Sequence, residues 1–274
     1  MTEKFKLLAI LAHPDDESLG FGGTLAKYAA EGVETHLVTA TRGERGRSGS
    51  GDKQLEPREV GRLREAELRA AADVLGIHTL AILDYPDGGV DQINPAAAMP
   101  ELVGHIRRIR PHVIVTFGPE GAYGHPDHIA ISQFTLAASM CASDAGYHLN
   151  PGSQDELLPA HRIAKLYYLA WPNNKWDAYQ AAFRKLTSMV DGVPRQAAPW
   201  PDWAVTTVVN TSRYWPAVWK AVCCHQTQMS IYERLEQLTP EQQTTLWGSQ
   251  EFYRAYSSVN GGRTREADLF EGLR

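Results

Sequence analysis

Cysteine is scarce in this chain. Its three residues, Cys141, Cys223 and Cys224, are an odd number with no CxxC pair, which excludes a disulfide framework and points to a reducing compartment, the cytoplasm. Long apolar runs are missing as well, so no segment is long enough to span a bilayer as a helix. The first residues, MTEKFKLLAILAHPDDE, imitate a signal peptide with two lysines and an apolar run, but the run is short, lacks a cleavage site and enters an acidic cluster. Positive charge is not in excess either. A net charge of −5 and a pI near 6.1 leave no basic face for nucleic acid or an anionic membrane. Repeats and low-complexity blocks are absent, and all seven tryptophans fall between Trp171 and Trp247. What is present is ample apolar material, 43% of 274 residues, enough for a full core. We expect one domain over 1–274, with a Trp-rich, less regular portion from about residue 171. Those tryptophans read either as a second packing cluster or as a lid or wall of a pocket.

The chain is organised around LLAILAHPDDESLGFGG at 7–23. Leu7 to Ala12 is an apolar run that ends in His13-Pro14-Asp15-Asp16-Glu17, as when a strand feeds a loop and helix of an α/β sheet. The polar cluster then sits at a strand's C-terminal end, where open parallel sheets bind ligands. One histidine and three carboxylates cannot be buried there unpaired. His13 and Asp16, three apart across a turn, can meet on one metal ion. Capping of the next helix by Asp15, Asp16 and Ser18 explains the acids but not His13-Pro14. A second cluster, Tyr123-Gly124-His125-Pro126-Asp127-His128, also follows an apolar run, Val113–Phe117, and precedes a helical pattern. Neighbouring parallel strands would bring the clusters together, supplying a third ligand and leaving a coordination position for water, as in catalytic zinc sites.

Strands are expected at 7–12, 33–41, 77–83, 113–117, 165–170 and 204–209. Helices are expected at 19–30, 57–75, 99–110, 128–142 and 214–228, with a capping box at Thr239–Gln242 opening a short last one. The stripe of the 57–75 helix is read as Leu63, Leu68, Ala71, Ala72 and Leu75. Segments 42–53, 84–89, 144–161 and 191–203 read as loop or polar connection, and the charged tail 261–274 as loosely held. This alternation predicts an α/β, Rossmann-like, mostly parallel sheet with helices on both faces and the active site at the C-terminal strand ends. Cys223-Cys224-His225 makes a poor chelate, since vicinal side chains on a helix diverge by about 100°.

The two clusters, with TRGERG at 41–46 and RLREAEL at 62–68, resemble the LmbE-like, or PIG-L, family of zinc-dependent N-deacetylases acting on N-acetylglucosamine conjugates. The likeness is densest over 7–128 and thins beyond about residue 170 to features such as His225-Gln-Thr-Gln228. It implies zinc, or iron(II), held by His13, Asp16 and His128, and Asp15 as general base. His125 would be the acid or oxyanion stabiliser, oriented by Asp127, with Tyr123 a further donor. Glu44, Arg64 and Asp87 match positions that contact substrate, although each also has a bland local reading as a solvated or turn-forming residue. The partner implied is a small soluble amino-sugar conjugate, with a homo-oligomer left open.

Three other readings stand beside deacetylation. An amidase could remove a larger acyl group from the same amino sugar, since the chemistry is indifferent to what lies beyond the carbonyl. A two-histidine, one-carboxylate iron oxygenase uses the same donor set, and a non-catalytic metal-binding protein needs no more. A dinucleotide-binding dehydrogenase, suggested by Gly20-Phe-Gly22-Gly23, fails because three carboxylates occupy the turn where pyrophosphate would lie.

Overall fold

The computed structural model describes residues 4–47, 55–149, 157–183, 187–190, 192–262 and 264–274. Apolar runs flanked by turn residues form the strands of its main sheet: β1 (Lys6–Leu11), β2 (Glu34–Thr41), β3 (Thr79–Tyr85), β4 (Val113–Thr116) and β5 (Lys165–Leu169). The last strands in the chain are a short hairpin, β6 (Ser188–Val190) and β7 (Val193–Arg195), followed by β8 (Thr207–Asn210) and β9 (Ser249–Ser257). The main sheet has the order β3-β2-β1-β4-β5-β9-β8, and its first five strands are parallel. The expected mostly parallel α/β sheet is therefore present. Strands β9 and β8 extend it in antiparallel pairing, and β9 was not foreseen.

Helices α1 (Asp16–Leu19), α2 (Gly22–Ala30) and α3 (Pro57–Leu75) follow β1 and β2, while α4 (Pro95–Ile109), the irregular turn α5 (Gly121–Gly124) and α6 (Pro126–Ala142) flank β4. Later come α7 (Asn173–Phe183), α8 (Trp215–Val222), α9 (Met229–Glu236) and α10 (Pro240–Trp247). Strand order reverses direction between β1 and β4. Right-handed crossovers then send α2 and α3 to one face, where α8 joins them, and α4 and α6 to the other.

Several local expectations shift. The helix read over 19–30 is two, interrupted at Gly20-Phe21, and the one read over 214–228 ends at Val222. Leu63 is exposed and Arg64 takes its place on the buried stripe of α3, between Val60 and Leu68 at four-residue spacing. The capping box at Thr239 is made in both directions. Trp176 and Trp247 pack in a second core cluster with Tyr179 and Tyr232, whereas Trp203 is exposed. The expected loops at 42–53 and 144–161 lie partly outside the described residues, and the segment read as loop over 191–203 instead carries β7, paired with β6, and a short helical turn from Asp202.

The tail is not loose. Glu266, buried against the sheet, accepts from Lys165 Nζ (2.7 Å), Tyr167 Oη (2.6 Å), Thr207 Oγ1 (2.8 Å) and the Arg254 guanidinium (2.8 Å), and Leu269 and Phe270 are wholly buried. Burial alone would raise the Glu266 pKa, but bonds from Lys165, Tyr167 and Thr207 outweigh it and hold the group at about 2, below its ordinary 4.5. A carboxyl with a depressed pKa adds stability that is complete above about pH 4.5 and fades as the pH falls towards 2. That gap is worth about 3 kcal/mol. In urea titrations, Glu266→Gln should lower the unfolding free energy by about that much at pH 7, with the deficit shrinking below pH 4.5. A deficit independent of pH would show that lost packing, not charge, is responsible.

Candidate metal centre and active site

Where β1 and β4 run side by side, with Ala9 paired to Val115, their C-terminal ends flank the point at which strand order reverses. The loop after β1 turns sharply. Its tightness is set by Asp16, whose Oδ2 accepts the backbone N–H groups of His13 (2.7 Å) and Ala12 (3.2 Å). Asp15 adopts φ 109°, ψ −24°, a region costly for a residue with a Cβ, of order 1–3 kcal/mol. After β4, Pro126 opens α6 and the His125 ring caps it, Nδ1 accepting the Asp127 N–H at 3.2 Å. His128 in the first turn then lies against Phe117, ring centroids 4.0 Å apart and nearly parallel.

These two loops bring three potential ligand side chains together. His13 Nδ1 is 3.1 Å from His128 Nε2, Asp16 Oδ1 is 3.4 Å from His128 Nε2, and Asp16 Oδ2 is 3.7 Å from His13 Nδ1. Ligands about 2.05 Å from a tetrahedral ion stand about 3.3 Å apart, so this spacing fits a zinc-sized cation. Two further sets share His13: with His125 and His128, and with Asp87 and Asp127, their atoms within 4.8 Å of one another. The atoms of the second set are already engaged. Asp127 accepts from Gly88 N–H (2.7 Å), Val90 N–H (3.0 Å) and His13 Nε2 (3.0 Å), and Asp87 Oδ2 accepts from Arg45 N–H (2.9 Å). An Nε2–H given to Asp127 leaves the His13 Nδ1 lone pair aimed at His128 and Asp16, the carboxylate–histidine arrangement found behind metal ligands.

The electrostatics ask for a cation too. Burial works against a charged His13, yet bonds to Asp127 and Asp87 and the charge of Asp16 lift its pKa to about 10. A proton there does what a metal ion would do. Burial and the charge on His13 hold His128 well below the usual histidine range and His125 at about 4, while burial lifts Asp16 to about 7.

A cavity of about 490 Å³ opens over these groups, lined among others by Asp15, Arg64, Asp87, Tyr123, His125 and Tyr232. Arg64 is almost fully buried and gives its donors to the chain: to Gly43 C=O (2.9 Å), to Pro14 C=O and to Asp15 Oδ2 (2.8 Å). Gly43, at φ 65°, must lack a side chain, because a Cβ there would fall on the guanidinium. Glu44 stands behind the cavity, its Oε1 accepting the Asp87 N–H at 2.8 Å. The Asp127 carboxylate, expected beside His125, grips His13 instead, since the N-terminal turn of α6 points it at β1.

Three residues of the site have no role assigned from the sequence. Tyr232 Oη donates to Asp15 Oδ2 at 2.6 Å. Glu17, wholly buried, accepts from Asp15 N–H (2.9 Å), Ser18 Oγ (2.6 Å) and His225 Nε2 (2.8 Å). Burial would raise the Glu17 pKa, but His225's charge and hydrogen bond hold it below the ordinary value. His225 and Tyr232 come from a region with no local motif, so only the quoted likeness around His225 hinted at them.

The PIG-L profile, described as GlcNAc-PI de-N-acetylase, matches residues 8–139. A 1D-myo-inositol 2-acetamido-2-deoxy-alpha-D-glucopyranoside deacetylase of Kineococcus radiotolerans is 33% identical, the match covering 98% of this chain and 83% of that protein. The chain belongs to the PIG-L family. A mycothiol S-conjugate amidase of Streptomyces coelicolor is 31% identical over 100% of this chain and 99% of its own. An N,N'-diacetylchitobiose deacetylase from Pyrococcus horikoshii shares the fold, with TM-score 0.66 and 20% identity over 92% of this chain and 84% of that one. The profile covers β1 to α6, which in this PIG-L chain carry every expected site residue, while Tyr232 and His225 lie beyond it.

If Asp127 orients His13, Asp127→Ala should weaken zinc binding by about 10- to 100-fold with the fold intact. Competition with a chromogenic chelator measures this. Unchanged affinity would remove Asp127 from the support of the metal site.

Proposed function

We propose that this chain is a zinc-dependent hydrolase that removes an N-acetyl group from a soluble conjugate of N-acetylglucosamine. The observation that carries the reading is the convergence of His13 Nδ1, His128 Nε2 and Asp16 on one point beside Asp15, at the floor of a cavity sized for a small molecule. These three would be the metal ligands. Bound there, zinc supplies Lewis acidity, polarising the amide carbonyl and bringing the pKa of water near neutrality.

The other side chains move protons and hold the substrate. Asp15, fixed by Arg64 and Tyr232 through Oδ2, takes the proton of the attacking water. His125 keeps Nδ1 engaged with the Asp127 N–H, so the ring's hydrogen is on Nε2, which donates a hydrogen bond to the developing oxyanion, while the proton taken up by Asp15 passes on to the departing amine. Burial and the nearby carboxylates push the Tyr123 phenol far above its usual range, which keeps it a donor to the carbonyl oxygen as charge develops there. Water adds to the carbonyl carbon, the C–N bond breaks, and acetate and a free amine leave. Asp87 is the contact for sugar hydroxyls, with Glu44 bracing it from behind, whereas Arg64, its guanidinium turned to Gly43, Pro14 and Asp15, serves the substrate only through Asp15.

The end-to-end likeness to the S-conjugate amidase supports a second reading, hydrolysis of a larger acyl group on the same amino sugar. Iron(II) suits the same donors, but an uncoordinated acid beside them favours hydrolysis over oxygen chemistry. We take 1–274 as one catalytic unit working in the cytoplasm. The free state of all three cysteines agrees, and among the described residues no helix is long and apolar enough to cross a membrane.

Zinc-loaded protein incubated with N-acetylglucosaminyl-inositol, N-acetylglucosaminyl-malate and an S-conjugated amino-sugar thiol amide should release acetate and amine from one of the first two. Release from the thiol amide alone would select the second reading, and release from none would sink both. In the active assay, Asp15→Asn should retain zinc while kcat drops by orders of magnitude. Loss of zinc from Asp15→Asn would instead make Asp15 a ligand.

A further inference from the structure

The reading of Asp15 as the base leaves open what holds it at φ 109° with its carboxylate aimed into the cavity. Its backbone N–H donates to Glu17 Oε2 at 2.9 Å, across the turn that creates the strain. The other Glu17 oxygen accepts from His225 Nε2 at 2.8 Å and from Ser18 Oγ at 2.6 Å, so no oxygen of this wholly buried carboxylate is spare. His225 is wholly buried as well, between α8 and α9, and 208 positions away in the chain. Among the described residues its Nδ1 meets no partner, so what the ring offers in polar terms is concentrated on Glu17, with Ser18 Oγ at a longer 3.4 Å. A buried imidazole with half its hydrogen-bonding capacity unmet is costly to keep for packing alone. Seven residues further on, Tyr232 holds the Asp15 carboxylate itself.

We propose that His225 is a positioning residue for catalysis: through Glu17 it fixes the backbone of Asp15, and with Tyr232 it makes the segment after α8 the clamp that aims the base. This rests on Asp15 being the base of the proposed hydrolysis. Its role differs from that of Arg64, which reaches the Asp15 carboxylate from α3 within the profile-matched part of the chain. Without His225, Glu17 would be a buried carboxylate short of a donor, free to turn towards other partners and release the Asp15 N–H. The strained turn would then relax, and a base displaced by about 1 Å can lose about 100-fold in rate.

The test pairs kinetics with a readout that needs no turnover. His225→Ala in the zinc-loaded full chain should lose about 100-fold in kcat with KM and zinc stoichiometry held. His225→Gln, whose amide nitrogen can reach Glu17, should recover most of that loss, and the shorter His225→Asn should not. In protein labelled with 15N-aspartate, the Asp15 amide proton should lie downfield in wild type and His225→Gln and move upfield in His225→Asn and His225→Ala. If the alanine variant does not fold, the Gln and Asn pair carries the comparison. Equal kcat in Gln and Asn variants, an unmoved Asp15 amide, or zinc lost in step with activity would each overturn the clamp. Should wild type hydrolyse no amide, the functional reading falls while the amide shift still decides whether His225 holds Asp15.

Discussion

Too many like charges in too little water is the constraint on which this structure depends. Asp15, Asp16, Glu17, Asp87 and Asp127 crowd the C-terminal ends of β1 and β4, largely shielded from solvent, and a carboxylate in that setting is tolerable only if each oxygen is answered. The fold answers most of them with backbone N–H groups from tight loops and with side chains sent from distant elements. The remaining deficit falls on one point, where His13, Asp16 and His128 face each other. Without a metal, a proton on His13 fills it; the same field invites a divalent ion, because two charges meet the deficit better than one.

The three adjacent acids of the first loop thus do three different jobs, and their geometry explains why neither neighbour can substitute for the other. Asp16 closes the loop on the N–H groups of residues 12 and 13 with one oxygen and turns the second towards His128. Asp15 lines the same cavity but gives its carboxylate to Arg64 and Tyr232. Glu17 points back under the loop and is never near substrate. Exchanging any two would keep the composition and the charge while leaving one oxygen pair unanswered.

How much of this was legible in the sequence follows from how local each signal is. The five parallel strands and the helices between them were legible because long apolar runs alternate with amphipathic segments, and the two His-Asp clusters because each is a contiguous motif at a strand end. Where Arg64 points was not, since the phase of the α3 stripe turns on one residue: Leu63 and Arg64 are adjacent, and hydropathy alone favours the apolar one as the buried member. The grip of Asp127 on His13, the strand β9 and the anchoring of the tail by Glu266 are long-range pairings, and no local periodicity reports a partner a hundred positions away. His225 and Tyr232 belong to that class.

That division has a consequence for how the family's chemistry and its specificity are distributed along the chain. The proposed metal donors and base sit on loops after β1 and β4, the central strands of the parallel sheet, which are buried from Leu7 to Leu11 and from Val113 to Thr116, so their relative positions are set by the most rigid part of the molecule. The cavity above them is finished by Trp171, Tyr179, Phe183 and Tyr232, on segments added at the edge of the sheet and packed in a separate core cluster. Changes in that second cluster can reshape what the cavity admits without disturbing His13, Asp16 or His128. The hydrogen bonds from Tyr232 and His225 limit this freedom, because they pass through the same segment to Asp15 and Glu17. Specificity can therefore vary on α7 and on the exposed side of α9, but the inward-facing positions of 225–232 are tied to the chemistry itself.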